Sequence, residues 1–328
     1  MYLLDSSSSV ESIVDDTKYV FMETFGNWQL GNQMFQYLVL QKISSLTSRK
    51  LVFIKDKLKQ TPHGNLIRKY FIPYFNYINS SDINRDDLYQ YMEPKNDIRF
   101  NDNMYDELIK VDTKFLNIEG FFQSYKYFSD LDYYNIFNLR GEYEVDISIK
   151  YNTIINLFNK MNTKNNHNNT KNNNTKNDNT DNYKLVSIHV RRSDYIKYNN
   201  YHTILPLTYY INVITKIIKD TDNKSNIIFI IFSDDIKWCQ RVFYQIKDIS
   251  YFSEYDTITD LMLMSYCHVN IISNSTFSLM GFLLNQNRDK KIIYPEMFNI
   301  MWFGINGPKY ILQDLIPLNN DEKYNLVF

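Results

Sequence analysis

Cysteine, glycine and proline are all scarce in this chain of 328 residues, which has 2 cysteines, 8 glycines and 7 prolines. The two cysteines, Cys239 and Cys267, are too few for a disulfide scaffold. Neither belongs to a Cys-x-x-Cys pair or to a Cys/His metal cluster. We therefore expect two reduced, buried thiols and no bound metal.

A long apolar run is also missing, since none approaches the roughly 20 residues that a membrane-spanning helix needs. The first residues, MYLLDSSSSVESIVDD, carry acids and few apolar side chains, unlike a secretory signal. The formal net charge is only -1, from 36 basic and 37 acidic residues, which disfavours a nucleic-acid-binding protein. These features predict a cytoplasmic protein with no membrane span and no nucleic-acid partner.

Hydrophobic residues make up 44% of the chain, which is ample for a packed core. The segment 18–54 reads as strand, polar loop, helix (34–48) and strand, the pattern of a parallel βαβ unit. An Asn-rich stretch lacks any periodic apolar face and therefore predicts a disordered linker or loop. The predicted organisation is a loose tail at 1–17, an N-terminal domain at 18–160, the linker at 161–182 and a C-terminal domain at 183–328.

Three near-continuous apolar runs follow the Asn-rich stretch, at 184–190, 226–232 and 268–273, with helical segments between them. Such runs are typical of a parallel sheet covered on both faces, and ligands bind outside the carboxyl ends of its strands. Each run ends in polar side chains, so the sequence predicts one polar site built from three clusters: Arg191, Arg192 and Asp194; Ser233, Asp234 and Asp235; Asn274, Ser275 and Thr276.

The chemistry of these clusters fits a nucleoside diphosphate held without a metal. Two adjacent guanidiniums favour an anion, and the helix that starts at "NST" offers free N–H groups to a phosphate. The carboxylate of Asp235 suits a guanine edge or a ribose. Gly31 and Asn32, in the loop "QLGNQ", lie where a backbone can approach a ligand closely. Taken singly, the arginine pair and the helix start fit an ordinary ion pair and helix cap better than a ligand site, and the aspartates fit a turn at least as well; the conjunction of three such strand ends favours a site.

A competing motif is the Asp-x-Asp pattern of metal-dependent glycosyltransferases, which hold a divalent ion on a sugar nucleotide. Asp130 and Asp132 have this spacing. They follow an aromatic, helix-like stretch instead of the end of an apolar strand. We therefore interpret them as a solvated helix or loop edge.

Five motifs in order resemble the α1,2-fucosyltransferase family: LGNQMFQY, GFFQSYKYF, HVRRSDY, FSDDIKWC and DLMLMSYCHVNIISNSTFS. They extend from Leu30 to about Asn285. The resemblance implies an α/β protein of GT-B type, with two Rossmann-like domains facing across a cleft. It also implies an inverting, metal-independent transfer of fucose from GDP-β-L-fucose to the 2-hydroxyl of a galactose-type acceptor glycan.

The same resemblance implies roles for individual residues. Arg191 would bind the β-phosphate, with Arg192 as its support, and His189 and Asp194 would line the donor site. Asp235 would read the guanine, Gly31 and Asn32 would meet the donor from the N-terminal half, and four residues would contact the diphosphate and base: Asn274, Ser275, Thr276 and Phe277. The general base stays open, with Asp194 and His202 as the two candidates near the site in sequence.

Several residues depart from the family pattern. Ser193 replaces a usual glycine, Trp28 and Gln29 replace small residues, and Leu279 and Met280 replace a tryptophan pair. These departures keep two alternatives open. One is a transferase of another linkage or another sugar nucleotide, and the other is an inactive relative that binds a carbohydrate or GDP-sugar.

Overall fold

The computed structural model describes residues 16–71, 75–94, 100–166, 183–198, 204–221 and 226–295. Most of the predicted tail, the Asn-rich stretch from 167 to 182 and the C-terminal residues after 295 lie outside this range. Within it, the chain forms two five-stranded sheets in which every pair of named strands is parallel.

The first sheet contains the strands up to residue 119, in the order β3-β2-β1-β5-β4. A long helix, α1, connects β1 to β2 and is buried along most of its length. The strands are β1 (Tyr19–Phe21), β2 (Lys50–Ile54), β3 (Asn76–Ile78), β4 (Leu88–Met92) and β5 (Phe115–Glu119). The helices are α1 (Leu30–Thr47), α2 (Lys55–Leu58), α3 (Leu66–Tyr70), α4 (Met104–Ile109), α5 (Tyr133–Ile136) and α6 (Gly141–Asn166).

The second sheet has the order β10-β9-β6-β7-β8. The first of these strands in the sequence, β6, is therefore central, with β7 and β8 on one side and β9 and β10 on the other. This is the doubly wound order of a Rossmann fold, whose topological switch point lies between β6 and β9. The strands are β6 (Lys184–Val190), β7 (Ile227–Ser233), β8 (Ser250–Phe252), β9 (Val269–Ile271) and β10 (Lys291–Ile293). The helices are α7 (Ser193–Lys197), α8 (Leu207–Lys219), α9 (Ile236–Val242), α10 (Thr257–Ser265) and α11 (Thr276–Leu283).

The two halves share one hydrophobic core, because α10 and α11 pack against the first half as well as their own. Leu261 and Met280 belong to the same buried cluster as Met34 and Leu38 of α1. The N-terminal turns of α1 and α11 touch: a Cβ built on Gly31 would lie 2.6 Å from the backbone nitrogen of Phe277. Only glycine fits such a close backbone approach, so Gly31 fixes the seam between the two halves.

The predicted α/β fold class with two parallel halves facing across a cleft, the GT-B arrangement, is confirmed. Strand β6 begins and ends at the predicted residues, and β2 does too. Cys239 and Cys267 are free and buried, as expected. Among the described residues, no helix is both long enough and apolar enough to cross a membrane.

Two predicted boundaries are wrong by four residues or more, whereas those of β7 and β9 differ by one or two residues. Helix α1 begins at Leu30 instead of Met34, because its polar first turn makes tertiary hydrogen bonds and need not remain a loop. Gly31 and Asn32 are therefore helical. Helix α6 continues to Asn166 and so includes the first residues, 161–166, of the stretch predicted to be a linker.

Candidate active site

A cavity of about 970 Å³ lies at the carboxyl edges of both sheets, with walls from both halves of the chain. This volume is at the upper end of the range typical of small-molecule sites. The second half supplies the ends of β6, β7 and β9, and the first half supplies the loop before α1 and the loop before α3. Eleven residues of the polar and donor site predicted from the sequence line it: Gly31, Asn32, His189, Arg191, Asp194, Ser233, Asp234, Asn274, Ser275, Thr276 and Phe277.

Arg191 is held in the cavity wall by two carboxylates. Its Nη2 donates to Asp194 Oδ2 at 2.6 Å, and its Nη1 lies 3.2 Å from Asp234 Oδ2. The same Nη2 also donates to Gln29 Oε1 at 3.2 Å, across the seam from the first half. These contacts occupy at most three of the five N–H groups of a guanidinium, so the side chain is oriented while it keeps donors for a ligand.

Arg192 and Asp235 do not line the cavity and instead pair with each other. Arg192 Nε donates to Asp235 Oδ2 at 3.2 Å, and the guanidinium lies 3.8 Å from the centre of the Trp238 ring. Asp235 also caps α9 by accepting from the Trp238 nitrogen. The structure thus brings Arg191, but not Arg192 or Asp235, to the cleft, because the chain turns away into α9 directly after Asp234.

Asp234, and not its neighbour Asp235, is the carboxylate that lines the cavity, although no separate role was predicted for it from the sequence. Its two oxygens accept the backbone N–H groups of Arg192 at 2.8 Å and Ser193 at 3.1 Å. The Ser193 hydroxyl donates back to the Asp234 carbonyl at 2.9 Å. Asp234 therefore fixes the loop that carries Arg191 as well as the guanidinium itself.

His189 lies at the floor of the cavity and is 5% exposed. Burial, together with the nearby Arg191 charge, lowers the pKa of His189 to about 3, so the imidazole is neutral. Its Nδ1 is 2.8 Å from Ser273 Oγ. Its ring packs near the Phe277 ring, with 5.6 Å between centroids.

The N-terminus of α11 meets the cavity beside these residues. Ser275 caps the helix by accepting from the Phe277 nitrogen. The Thr276 hydroxyl donates to Asn32 Oδ1 at 2.8 Å, and the same oxygen accepts from Gln123 Nε2 at 3.0 Å. Asn32 thus connects the first half to the helix end, and its side-chain oxygen is already engaged by protein donors.

A third carboxylate, Asp260 of α10, lines the cavity and was not recognised as a site residue from the sequence. Its Oδ1 accepts from Ser253 Oγ at 2.5 Å, which ties it to the end of β8. Burial, and to a smaller extent the charge of Asp256, raises the pKa of Asp260 to about 7. The available signal was an acidic residue at the start of the apolar run "DLMLMS". A carboxylate beside a buried apolar segment needs polar partners or solvent, which a cavity provides.

Asp130 and Asp132 lie outside the cavity lining and have partners of their own. Asp130 pairs with Lys42 at 2.7 Å, and Asp132 caps α5 by accepting from the Asn135 nitrogen. Both carboxylates thus have structural partners, in agreement with their interpretation as a helix or loop edge. Over the described part of the chain, no three His, Cys, Asp or Glu side chains are grouped as a metal site.

Comparison with known proteins identifies one family and several relatives. The model of the family described as Glycosyl transferase family 11 matches residues 8–301. The chain is 36% identical over 142 residues to the O-antigen biosynthesis glycosyltransferase WbnK of Escherichia coli, a match covering 41% of this chain and 44% of that protein. It is 35% identical over 103 residues to an alpha-1,2-colitosyltransferase of Escherichia coli, covering 29% and 34%. The matches therefore span less than half the length of either curated relative.

Solved structures with a similar chain path include two fucosyltransferases. The fucosyltransferase NodZ from Bradyrhizobium aligns with a TM-score of 0.48 and 12% identity, covering 82% of this chain and 93% of that chain. POFUT1 in complex with GDP-fucose aligns with a TM-score of 0.48 and 12% identity, covering 85% and 98%.

Proposed function

The chain belongs to glycosyltransferase family 11, and from this premise we propose that it transfers L-fucose from GDP-β-L-fucose to the 2-hydroxyl of a galactose-type acceptor glycan. The observation that carries the proposal is Arg191 at the end of the central strand β6, oriented by Asp194 and Asp234 inside a cavity large enough for a sugar nucleotide.

Arg191 would act on the leaving group. When the bond between the fucose carbon and the β-phosphate oxygen breaks, the electron pair moves to that oxygen and the sugar becomes oxocarbenium-like. A guanidinium fixed in advance stabilises the developing charge, and one such donor can contribute about 3 kcal/mol to the transition state. Asp194 and Asp234 would serve to aim it. The contact of Asp194 with Arg191 favours this orienting role over the role of general base considered from the sequence. The other candidate base, His202, lies outside the described residues.

The remaining lining residues would bind the rest of the donor. Ser275, Thr276 and the first N–H groups of α11 suit the diphosphate, because a helix N-terminus favours an anion. Neutral His189 can hydrogen-bond to the donor without adding charge. Asp260 would take over the guanine-reading role expected of Asp235, since it lines the cavity and is not one of the two carboxylates that hold Arg191.

Inversion at the anomeric carbon and independence of a divalent metal are part of this proposal. Arg191 supports the second feature, because it offers positive charge where a metal ion would otherwise stand in a metal-dependent transferase. Water must be kept from the anomeric carbon of the donor. The close contact between α1 and α11 at Gly31 would help to exclude it on one side of the cavity.

A second candidate donor is favoured by one of the comparisons. The similarity to an alpha-1,2-colitosyltransferase suggests transfer of colitose, which differs from fucose by the loss of one ring hydroxyl group. Both reactions would place the leaving nucleotide against the same arginine. They would differ only in the contacts to the transferred sugar.

The test is a transfer assay with GDP-fucose and GDP-colitose on galactose-terminated acceptors, read by mass spectrometry and linkage analysis, with and without EDTA. We expect α1,2-linked fucose, no loss on chelation, and a drop of about 100-fold to 1,000-fold in Arg191→Lys, which keeps the charge but loses the fork-shaped donor set. The matched control is Arg68→Lys, an exposed arginine beside the Tyr77 ring.

Three results would contradict the proposal. Full activity of a folded Arg191→Lys variant would reject the role of the arginine. Loss of turnover on chelation would favour a metal-dependent mechanism. Binding of GDP-fucose without turnover on any acceptor would identify an inactive GDP-sugar-binding relative.

A further inference from the structure

The first sheet has a topological switch point of its own, between β1 and β5. Strand β1 pairs with β2 on one side and with β5 on the other, so the loops after β1 and β5 leave from neighbouring strand ends. In open parallel sheets this is where ligands bind. The switch point of the second sheet carries Arg191 and Ser275, which the proposed function assigns to the donor, so the first sheet offers the place for the second substrate.

Two of the first-half residues that line the cavity are Trp28, in the loop after β1, and His63, in the loop before α3. Trp28 packs its ring against Phe121 of the loop after β5, with 4.7 Å between centroids. His63 is exposed. An aromatic face and a polar ring in the lining of one cavity are the combination that suits a pyranose, which presents an apolar C–H face and several hydroxyl groups.

Gln33 holds these two parts of the wall together as one rigid unit. Its side chain is fully buried and makes three hydrogen bonds. The Nε2 group donates to the Trp28 carbonyl at 2.8 Å and to the Gly64 carbonyl at 3.0 Å. The Oε1 atom accepts from the Leu66 nitrogen at 2.9 Å. The loops that carry Trp28 and His63 are thus fixed to the same helix and to each other before any ligand arrives.

The loop that carries Trp28 also lies next to the proposed leaving-group site. Gln29 follows Trp28 directly, and its side chain accepts the hydrogen bond from Arg191. The sugar attached to the β-phosphate would therefore lie close to this loop. Asp260 is held by Ser253, which follows β8, and β8 is two strands and roughly 10 Å away from β6 at the usual spacing of strands. Trp28 thus lies at the sugar end of the cleft and not at the nucleoside end.

We propose that Trp28 and His63 form the acceptor subsite, in which Trp28 carries the apolar face of a terminal galactose-type sugar and His63 hydrogen-bonds to its hydroxyl groups. Gln33 is the positioning residue that keeps the pair in place. This inference rests on the proposed function for the direction of transfer, but it assigns binding residues that can be tested without turnover.

Binding is tested first, on the full chain loaded with GDP, with methyl β-D-galactopyranoside as the probe in saturation-transfer NMR. We expect Trp28→Ala to weaken galactoside binding by about tenfold or more, and Trp28→Phe to retain part of it, because the phenyl ring keeps an apolar face. GDP-fucose affinity, measured by calorimetry, should stay within about twofold in both variants. Tyr134→Ala removes an exposed aromatic side chain of the same half outside the cavity and should change neither affinity.

Kinetics then separate the two substrates. His63→Ala should raise the KM for the acceptor by about threefold to tenfold, the loss expected for one hydrogen bond, and His63→Gln should recover part of it. The KM for the donor should not move. Since His63 is exposed, both variants should fold, so the test survives even if Trp28→Ala is unstable.

The outcomes distinguish this inference from the proposed function. A wild-type chain that binds the galactoside but transfers no fucose would reject the proposed donor chemistry and leave the subsite standing. Unchanged galactoside affinity in folded Trp28→Ala and His63→Ala would overturn the subsite whatever the chain transfers. A loss of GDP-fucose affinity in Trp28→Ala would also overturn it, by placing the ring in the donor site. A wild-type chain with no affinity for galactosides would do the same.

Discussion

The carboxyl edges of the two sheets both carry acidic side chains, but these have different partners. In the first half, Glu93 and Glu119 accept backbone N–H groups of the loops beside them: Glu93 Oε2 from Phe121 at 2.7 Å and Phe122 at 2.9 Å, and Glu119 Oε1 from Glu23 at 2.9 Å. Burial raises the pKa of both groups, that of Glu93 to about 7. Among the described residues, neither carboxylate is paired with a basic side chain.

In the second half, the acidic side chains at the same edge surround guanidiniums. Asp194 and Asp234 hold Arg191, and Asp235 holds Arg192. These carboxylates are partly exposed, with 39%, 19% and 34% of the side chain accessible. A carboxylate at the edge of a sheet therefore does not by itself indicate a catalytic or binding role. Its partner decides whether it stabilises a loop or aims a charged group.

The largest effect expected from this comparison concerns Glu93. Because its folded-state pKa is about 7 instead of the ordinary 4.5, the folded chain holds the proton more tightly than the unfolded chain. Its contribution to the free energy of unfolding is therefore full below about pH 4.5 and is lost as pH rises through about 7. Between these pH values, we expect the free energy of unfolding of the wild type to fall by about 3 kcal/mol more than that of Glu93→Gln. Urea unfolding at a series of pH values measures this difference.

The control for that measurement is Glu142→Gln, an exposed glutamate at the start of α6. It should follow the wild-type pH dependence. A parallel pH dependence in Glu93→Gln and wild type would show that Glu93 carries no excess proton affinity, and the contrast between the two halves would then lose its clearest example.

The next effect concerns Asp234 on the other sheet. Asp234→Asn keeps one oxygen for the loop but loses the charge beside Arg191. We expect kcat/KM for transfer to fall by about 100-fold, because a small displacement of a positioned catalytic group costs about this much. The free energy of unfolding should change little. The control is Asp130→Asn, which should keep full activity because the Asp130 carboxylate pairs with Lys42 outside the cavity. Unchanged turnover in Asp234→Asn would show that the carboxylates of the second sheet do not aim Arg191.

The smallest effect is expected where the two halves meet. Gly31→Ala forces a methyl group to within 2.6 Å of the Phe277 nitrogen and 2.8 Å of the Thr276 carbonyl carbon. We expect a loss of about 2 kcal/mol in the free energy of unfolding, as for other overpacked sites. It should also weaken the affinity for GDP, measured by calorimetry.

Gly141→Ala is the matched control, because a Cβ there meets nothing within 4 Å. It should leave both the free energy of unfolding and the GDP affinity close to wild type. If Gly31→Ala behaved in the same way, the seam would be looser than the contact distance implies.

The second half could be predicted from sequence far better than the first. Strands β6 and β7 are runs of branched apolar residues buried on both faces, and this pattern has no competing interpretation. Strands β3 and β4, NYI and LYQYM, are short, polar and only partly buried. Their pairing depends on neighbouring strands and not on their own pattern, so their sequences alone do not predict them.

The residues of the candidate site also differ in how far the sequence alone could predict them. Arg191 was predictable because it follows a clear strand in a parallel sheet. The sequence analysis favoured Asp235 over Asp234 for the donor site, but Asp234 is the one that lines the cavity. Two adjacent residues after a strand point in different directions, and only the turn into α9 decides which of them faces the cavity. Trp28 and His63 are far apart in the sequence and belong to no periodic element, so their shared wall depends on the hydrogen bonds of Gln33.

The sequence by itself determined the parallel α/β class, the polar ends of β6, β7 and β9, and the likeness to a transferase family, because strand patterns and short motifs are local properties of a chain. Only the tertiary structure decided which side chains share the cleft. That outcome depends on contacts between distant segments, such as Gly31 against Phe277 and Arg191 against Gln29. Local pattern carries no information about such contacts, since their free energy arises only when the two halves pack together.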